Sequence, residues 1–146
     1  MRRATTADVR LLLPLFQNEA DNFLATGNRI VEKDRIASWI ESEDQEAFIV
    51  MNGEKAAAYG EIWIDDAEED LEFAHLMTAP EFRGQGFGKQ VLKGLLDEAK
   101  RYSYPFIYIR VLPENHSAIK LYQSFGFEEI EPFDEIYTWM KRKNNK

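Results

Sequence analysis

An apolar run that ends Leu76-Met77-Thr78 gives way to a strongly amphipathic segment from Val91 to Ala99. Between them stands Arg83-Gly84-Gln85-Gly86-Phe87-Gly88-Lys89, so a strand is expected to turn into a helix through three glycines and flanking cations. Glycine lets the backbone turn tightly and present its N–H groups to an anion. The start of the helix adds donors without intrahelical partners and a partial positive charge. A junction built this way is a cradle for a pyrophosphate, and it points to a phosphorylated cofactor.

The rest of the chain sets bounds on this reading. With 146 residues, 45% of them hydrophobic and 13% aromatic, residues 1–146 fit one domain with a real core. No segment approaches the length needed to span a bilayer, and Met1-Arg2-Arg3-Ala4 lacks the apolar stretch of a secretory signal. The chain has no cysteine, which removes disulfides, zinc ribbons and thiol nucleophiles, and no metal is expected. A cytoplasmic location is the simplest expectation. The formal net charge of −8 argues against general nucleic-acid binding and is compatible with a cationic substrate.

Periodicity gives an α/β order. Residues 2–4 read as a short strand, and Thr6-Ala7-Asp8 as a helix entry followed by the apolar face Val9, Leu12, Leu13, Leu15 and Phe16. A polar stretch with Gly27 and Asn28 interrupts before helical spacing resumes over 32–40. Residues 47–51 and 55–64 read as strands joined by Asn52-Gly53-Glu54, a hairpin signal. Residues 71–78 follow as a strand, then the glycine loop and a helix to about Arg101. A strand at 105–111, a helix at 116–124 closed by Gly126, and strands at 127–130 and 136–140 complete the order, with a frayed basic tail at 141–146.

Two nucleotide motifs fail on spacing. A dinucleotide fingerprint needs G-x-G-x-x-G, whereas Gly84, Gly86 and Gly88 give G-x-G-x-G. A P-loop needs Ser or Thr after Gly-Lys, whereas Gln90 follows Gly88-Lys89. The pattern Arg83-x-x-Gly86-x-Gly88 instead resembles motif A of the GCN5-related N-acetyltransferase (GNAT) superfamily. Asn115-His116-Ser117-Ala118-Ile119-Lys120-Leu121-Tyr122-Gln123-Ser124-Phe125-Gly126-Phe127 resembles the family's motif B, N-x-x-A-x-x-x-Y-x-x-x-G-F. The opening Arg3-Ala4-Thr5-Thr6-Ala7-Asp8 and the element order also match.

The resemblance implies a GNAT fold: a mixed, mostly antiparallel sheet of six to seven strands flanked by about four helices, with splayed strands at the acetyl-CoA site. It implies acetyl-CoA as co-substrate, held by Arg83, Gly84, Gln85, Gly86, Phe87, Gly88 and Lys89, by the main chain of Leu76, Met77 and Thr78, and by Asn115, Ala118 and Tyr122. Asn115 and Tyr122 are two helical turns apart, so one face presents both. A tyrosine, protonated at neutral pH, is a fit acid for a departing thiolate, and the resemblance gives Tyr122 that role. Glu72 matches the position of the base in the GCN5 branch, while Glu61, His75 (turned inward by a bulge) and an ordered water chain remain alternatives. The glutamate base of the branch that acetylates ribosomal-protein N-termini aligns with Arg110.

The acceptor is expected to be a small-molecule or peptide amine, met by Asn18, Glu19, Asp21, Asn22 and Phe23 and walled by Tyr137 and Trp139. Direct attack in a ternary complex is expected, and without cysteine a cysteinyl acyl-enzyme is excluded. The competing reading is a module of the same fold that senses acyl-CoA without turnover. The sequence leaves open the acceptor, the acyl length and the choice between monomer and homodimer.

Overall fold

The computed structural model describes residues 1–144. Seven strands form one sheet in the order β1-β2-β3-β4-β5-β7-β6. They are β1 (Arg2–Arg3), β2 (Gln45–Asn52), β3 (Lys55–Asp65), β4 (Asp70–Thr78), β5 (Phe106–Val111), β6 (Glu128–Ile130) and β7 (Thr138–Lys143). All neighbours are antiparallel except β4 and β5. That one parallel pair needs a crossover, and α4 (Phe87–Ala99) supplies it. The helices are α1 (Val9–Leu12), α2 (Glu19–Thr26), α3 (Lys33–Glu41), α4 and α5 (His116–Ser124). The architecture is the mixed, splayed sheet that the resemblance implied.

Each face of the sheet has its own core. On one face Leu92, Leu95 and Leu96 of α4 and Tyr122 of α5 meet Leu71, Phe73, Ile107 and Ile109. Each fully buried side chain of this kind contributes roughly 1.5–3 kcal/mol. The helix can come this close because β3 carries Gly60, where a Cβ would stand 3.1 Å from Leu95 Cδ1 and 3.3 Å from Val91 Cγ2. On the other face α1 and α3 bring Leu12, Ile36 and Trp39 over Ile49, Tyr59 and Met77. There Phe16 packs edge-on to both Trp39 and Tyr59, at 5.6 and 5.8 Å.

Three stretches depart from the sequence reading. The first helix is broken into 3-10 turns at Thr6–Asp8 and Leu13–Phe16 around the single α-turn α1. Pro14 has no N–H to continue an α-ladder, so the chain tightens there. The polar stretch before Gly27 is itself a helix, α2: the Asn18 side chain accepts from the Asp21 N–H at 3.0 Å, and Gly27 ends the helix at φ +79°. Finally, the basic tail is not frayed at its start. Residues 141–143 belong to β7, and Asn144 is buried, its Nδ2 donating to the carbonyls of Ala99, Tyr102 and Tyr104 at 2.9, 3.2 and 3.0 Å. Residues 145 and 146 lie outside the described residues.

Candidate active site

The chain leaves β4 at Thr78 and reaches Arg83 through a 3-10 turn over Pro80–Phe82. Arg83 anchors the entry to the loop: its Nη2 donates to Asp21 Oδ2 of α2 at 2.8 Å and to the Thr78 carbonyl at 3.4 Å. Gly84 and Gly86 then adopt φ +75° and +88°, with nothing within 4 Å of where a Cβ would stand. A side chain would strain that backbone and fill the space in front of it. Gly86 accepts from the Gln90 N–H at 3.0 Å and so opens α4. The amides of Phe87, Gly88 and Lys89 precede that bond and are the unpaired donors of a helix start.

Behind the loop the sheet forks. β4 pairs with β5 only through Leu71, Glu72 and Phe73, although β4 continues to Thr78. From Ala74 onward the edge of β4 facing β5 has no strand partner among the described residues. Its main chain is therefore free to pair with an extended ligand. Across the gap α5 presents Asn115, Ala118 and Tyr122. With Leu76, Met77, Thr78 and the loop they line a cavity of about 600 Å³. Gln85 is turned away, donating to the Glu81 carbonyl at 3.2 Å. A third wall comes from α2, through Asp21, Leu24 and Ala25.

Tyr122 sits deep in this cleft, edge-on to Phe127 at 6.2 Å. Burial alone pushes its hydroxyl up to about 12. The hydroxyl has no hydrogen-bond partner among the described residues, so it remains a donor available to a ligand across the neutral range.

At the fork β4 carries a bulge. Tyr59 pairs with Met77 and Glu61 with Ala74, so β4 holds one residue more than β3 over this interval. His75 lies within it at φ +54°, a left-handed conformation that histidine tolerates better than most residues. Its ring packs against Trp39 at 4.3 Å and edge-on to Trp63 at 5.2 Å. Its Nδ1 is 3.1 Å from Oε2 of Glu61, which is fully buried. The same oxygen accepts from the Tyr59 hydroxyl at 2.5 Å, and Oε1 accepts from Trp63 Nε1 at 2.7 Å and Gln45 Nε2 at 3.1 Å. Burial beside this carboxylate raises the Tyr59 hydroxyl far above its ordinary range.

Glu72 lies outside the cavity, on the open face of β4. Both its oxygens accept from Arg110, at 2.6 Å from Nε and 2.9 Å from Nη2. The guanidinium in turn sits over the rings of Trp139, Trp63 and Tyr137, at 4.7, 5.6 and 5.8 Å. Asp134 fixes Tyr137 and Trp139 by accepting from the Tyr137 N–H at 2.8 Å and from Trp139 Nε1 at 3.1 Å. Its carboxyl is held below the usual range, chiefly by the Tyr137 N–H.

The structure thus joins a cavity opened by a strand fork to a glycine turn at a helix start. Residues 12–127 match the model of the acetyltransferase (GNAT) family. The chain belongs to that family. Among curated GNAT relatives, an uncharacterised N-acetyltransferase of Methanocaldococcus jannaschii is 31% identical over 99 residues, 64% of this chain and 44% of the relative. The [ribosomal protein bS18]-alanine N-acetyltransferase of Escherichia coli is 30% identical over 82 residues, 56% of this chain and 53% of the relative. The chain therefore spans about half the length of these relatives. In fold it is similar to the spermidine N-acetyltransferase of Vibrio cholerae in complex with CoA and spermine. There the TM-score is 0.82 at 23% identity, over 99% of this chain and 95% of that one. The GNAT match ends at Phe127, so Tyr137 and Trp139 lie beyond it.

Of the expected acceptor residues, Asp21 lines the cavity and Asn18 caps α2. Asn22 is a buried brace, its Nδ2 donating to the Phe16 and Arg29 carbonyls at 2.9 Å each, and Phe23 lies under the Arg29 guanidinium at 4.7 Å. Two features escaped the sequence reading. The wall made by Leu24 and Ala25 follows from α2, which Asn18 and Gly27 bracket as cap and stop. The convergence of Tyr59, Trp63 and Gln45 on Glu61 joins residues from two strands and has no local signal.

Proposed function

We propose that the protein is an acetyl-CoA-dependent N-acetyltransferase that moves the acetyl group directly to an amine in a ternary complex. The observation that carries this reading is the cavity in the β4–β5 fork, with the open-backed glycine turn on its wall and the unpartnered Tyr122 hydroxyl inside it. The residues fit acetyl-CoA. The amides of Phe87, Gly88 and Lys89, the space in front of Gly84 and Gly86, and the Lys89 ammonium suit the pyrophosphate. The unpaired edge of β4 suits the pantetheine arm and the thioester oxygen. Acetyl-CoA supplies an activated acyl carbon and a thiol leaving group.

Tyr122 serves as the acid. Full proton transfer from a hydroxyl near 12 to a thiolate of ordinary pKa ~8.5 is uphill by roughly 5 kcal/mol. The hydroxyl therefore acts first as a hydrogen-bond donor to the sulfur as charge builds there. Its proton moves late, when the amine has already begun to lose its own. The acceptor is a primary amine, and the negative charge of the chain favours a cationic one.

The test is incubation with acetyl-CoA and a panel of polyamines, amino acids, aminoglycosides and peptides, followed by free-thiol release. Amine-dependent release is expected. Tight acetyl-CoA binding without release across the panel would favour a sensor of the same fold, and no binding would remove the assignment of the cavity.

A further inference from the structure

The buried Glu61 carboxylate and the bulge that turns His75 toward it have no part in holding acetyl-CoA. Neither residue lines the cavity. A fully buried carboxylate is costly unless its lone pairs are satisfied, and here Gln45, Tyr59 and Trp63 donate to it while His75 Nδ1 lies 3.1 Å from Oε2. Where that carboxylate is ionised it only accepts, so a neutral His75 ring presents Nδ1–H to it and keeps its lone pair on Nε2. Nε2 has no partner among the described residues, and the side chain keeps 11% of its surface open. Along β4 the bulged residue stands between Phe73, the last residue paired with β5, and Leu76, the first to line the cavity, so its main chain lies at the fork. Left-handed backbone at a residue other than glycine is strained and persists where the surroundings enforce it, commonly at functional sites. Glu72, by contrast, has both oxygens engaged by Arg110.

We propose that His75 is the group that takes the proton of the attacking amine, through Nε2, with Glu61 as the positioning residue that fixes its tautomer. The proposal rests on the acetyltransferase reading above. The amine lone pair forms the C–N bond as the C–S bond breaks. The nitrogen's proton passes to Nε2 and then to water, while the thiolate takes a proton from Tyr122, which regains one from water. Trp39 and Trp63 hold the plane of the ring, so the amine approaches along the remaining open edge. Among the described residues the titratable group in contact with His75 is Glu61, to which the Tyr59 hydroxyl also donates, and its ring neighbours Trp39 on α3 and Trp63 on β3 carry no charge.

The test compares wild type, His75→Asn and Glu61→Gln in the full chain. Asparagine tolerates left-handed backbone and its amide still donates to Glu61, so His75→Asn keeps the fold and removes only the basic nitrogen. Its kcat/KM is expected to fall about 100-fold or more. Acetyl-CoA affinity should stay within about twofold, the acid limb of the pH–rate profile should vanish, and added imidazole should restore part of the rate. In ¹⁵N spectra the wild-type His75 ring should carry its proton on Nδ1, and Glu61→Gln should mix the two tautomers. His75→Asn turnover within about threefold of wild type would overturn the proposal, as would a wild-type ring protonated on Nε2 alone. A wild-type chain that fails to bind acetyl-CoA would overturn the acetyltransferase reading and this proposal with it, whereas intact binding with intact turnover in His75→Asn would overturn this proposal alone.

Discussion

The two sides of the β4–β5 fork are built from different materials. The side that fits acetyl-CoA is made of main chain: the turn at Gly84 and Gly86, the first amides of α4 and an unpaired strand edge. The side proposed to meet the acceptor is made of side chains: a buried carboxylate ringed by Gln45, Tyr59, Trp63 and His75, and an arginine braced by Glu72 and three aromatic rings. A backbone site takes its shape from local chain geometry and can be altered without touching the core. A site of interlocked side chains belongs to the core, so a change there alters chemistry and stability together.

The largest expected effect tests the first half of that contrast. Gly86→Asp puts bulk and negative charge where phosphate is proposed to sit, and should raise the acetyl-CoA Kd at least ~100-fold, about 3 kcal/mol. Nothing surrounds that Cβ position, so no packing is lost; aspartate at φ +88° strains the turn by about 1–2 kcal/mol, and calorimetry beside thermal unfolding separates that strain from the loss of affinity. Unchanged affinity would show that the turn is not the cradle.

Tyr122→Phe should lower kcat about 100-fold with little change in acetyl-CoA affinity. Its hydroxyl has no protein partner to lose, so stability near neutral pH should hold within ~0.5 kcal/mol. The two states differ at high pH. Because the folded hydroxyl is raised to about 12 and the unfolded one titrates near 10, wild-type stability is full below about pH 10 and declines as pH rises toward 12. The variant should lose less stability over that window, as followed by denaturation at a series of alkaline pH values.

Tyr59→Phe probes the other material. It removes a donor from buried Glu61 and should cost about 1.5–3 kcal/mol in urea unfolding, with acetyl-CoA affinity unchanged. A variant as stable as wild type would mean that the carboxylate network does not hold this side together.

Asp8→Asn should be smaller, about 1 kcal/mol, and it reaches the helical layer that covers Glu61. Arg2 donates to both Asp8 oxygens, at 2.9 and 2.8 Å, and this holds the Asp8 carboxyl below its usual range. A depressed folded value means that the contribution is complete above the unfolded pKa of ~4 and is lost as pH falls through the folded one. The gap between wild type and variant should therefore close in acid, and a gap independent of pH would assign the loss to packing.

The same contrast explains what could be read from the sequence. The glycine turn, the α5 face with Asn115 and Tyr122, and the strand–helix alternation from Leu71 to Phe127 are local patterns, and the chain shows them openly. Helix α2 was hidden because its apolar residues, Phe23, Leu24 and Ala25, are adjacent rather than spread at helical spacing; only its cap and stop reveal it. The bulge at His75 depends on the register between β3 and β4, which no single strand records. Glu61 reads as an alternating strand residue, and its burial depends on Trp39 and Gln45 arriving from distant elements. Asn144 looked like part of a charged tail because its partners, the carbonyls of Ala99, Tyr102 and Tyr104, are some forty residues earlier in the chain.

The strand order has a consequence for how the cleft comes into being. β7 lies between β5 and β6, and among the described residues β6 pairs with no other strand. As the polypeptide is synthesised, β1 to β5 and the three helices around the cavity emerge before the strand that joins β5 to β6 exists. Until residues 138–144 clear the ribosome, β5 has one bare edge and β6, which follows α5 directly, has nothing to lie against. A nascent chain is thus expected to hold a formed glycine turn beside an α5 that is not yet docked, and a mature cleft appears only when its last strand is laid in.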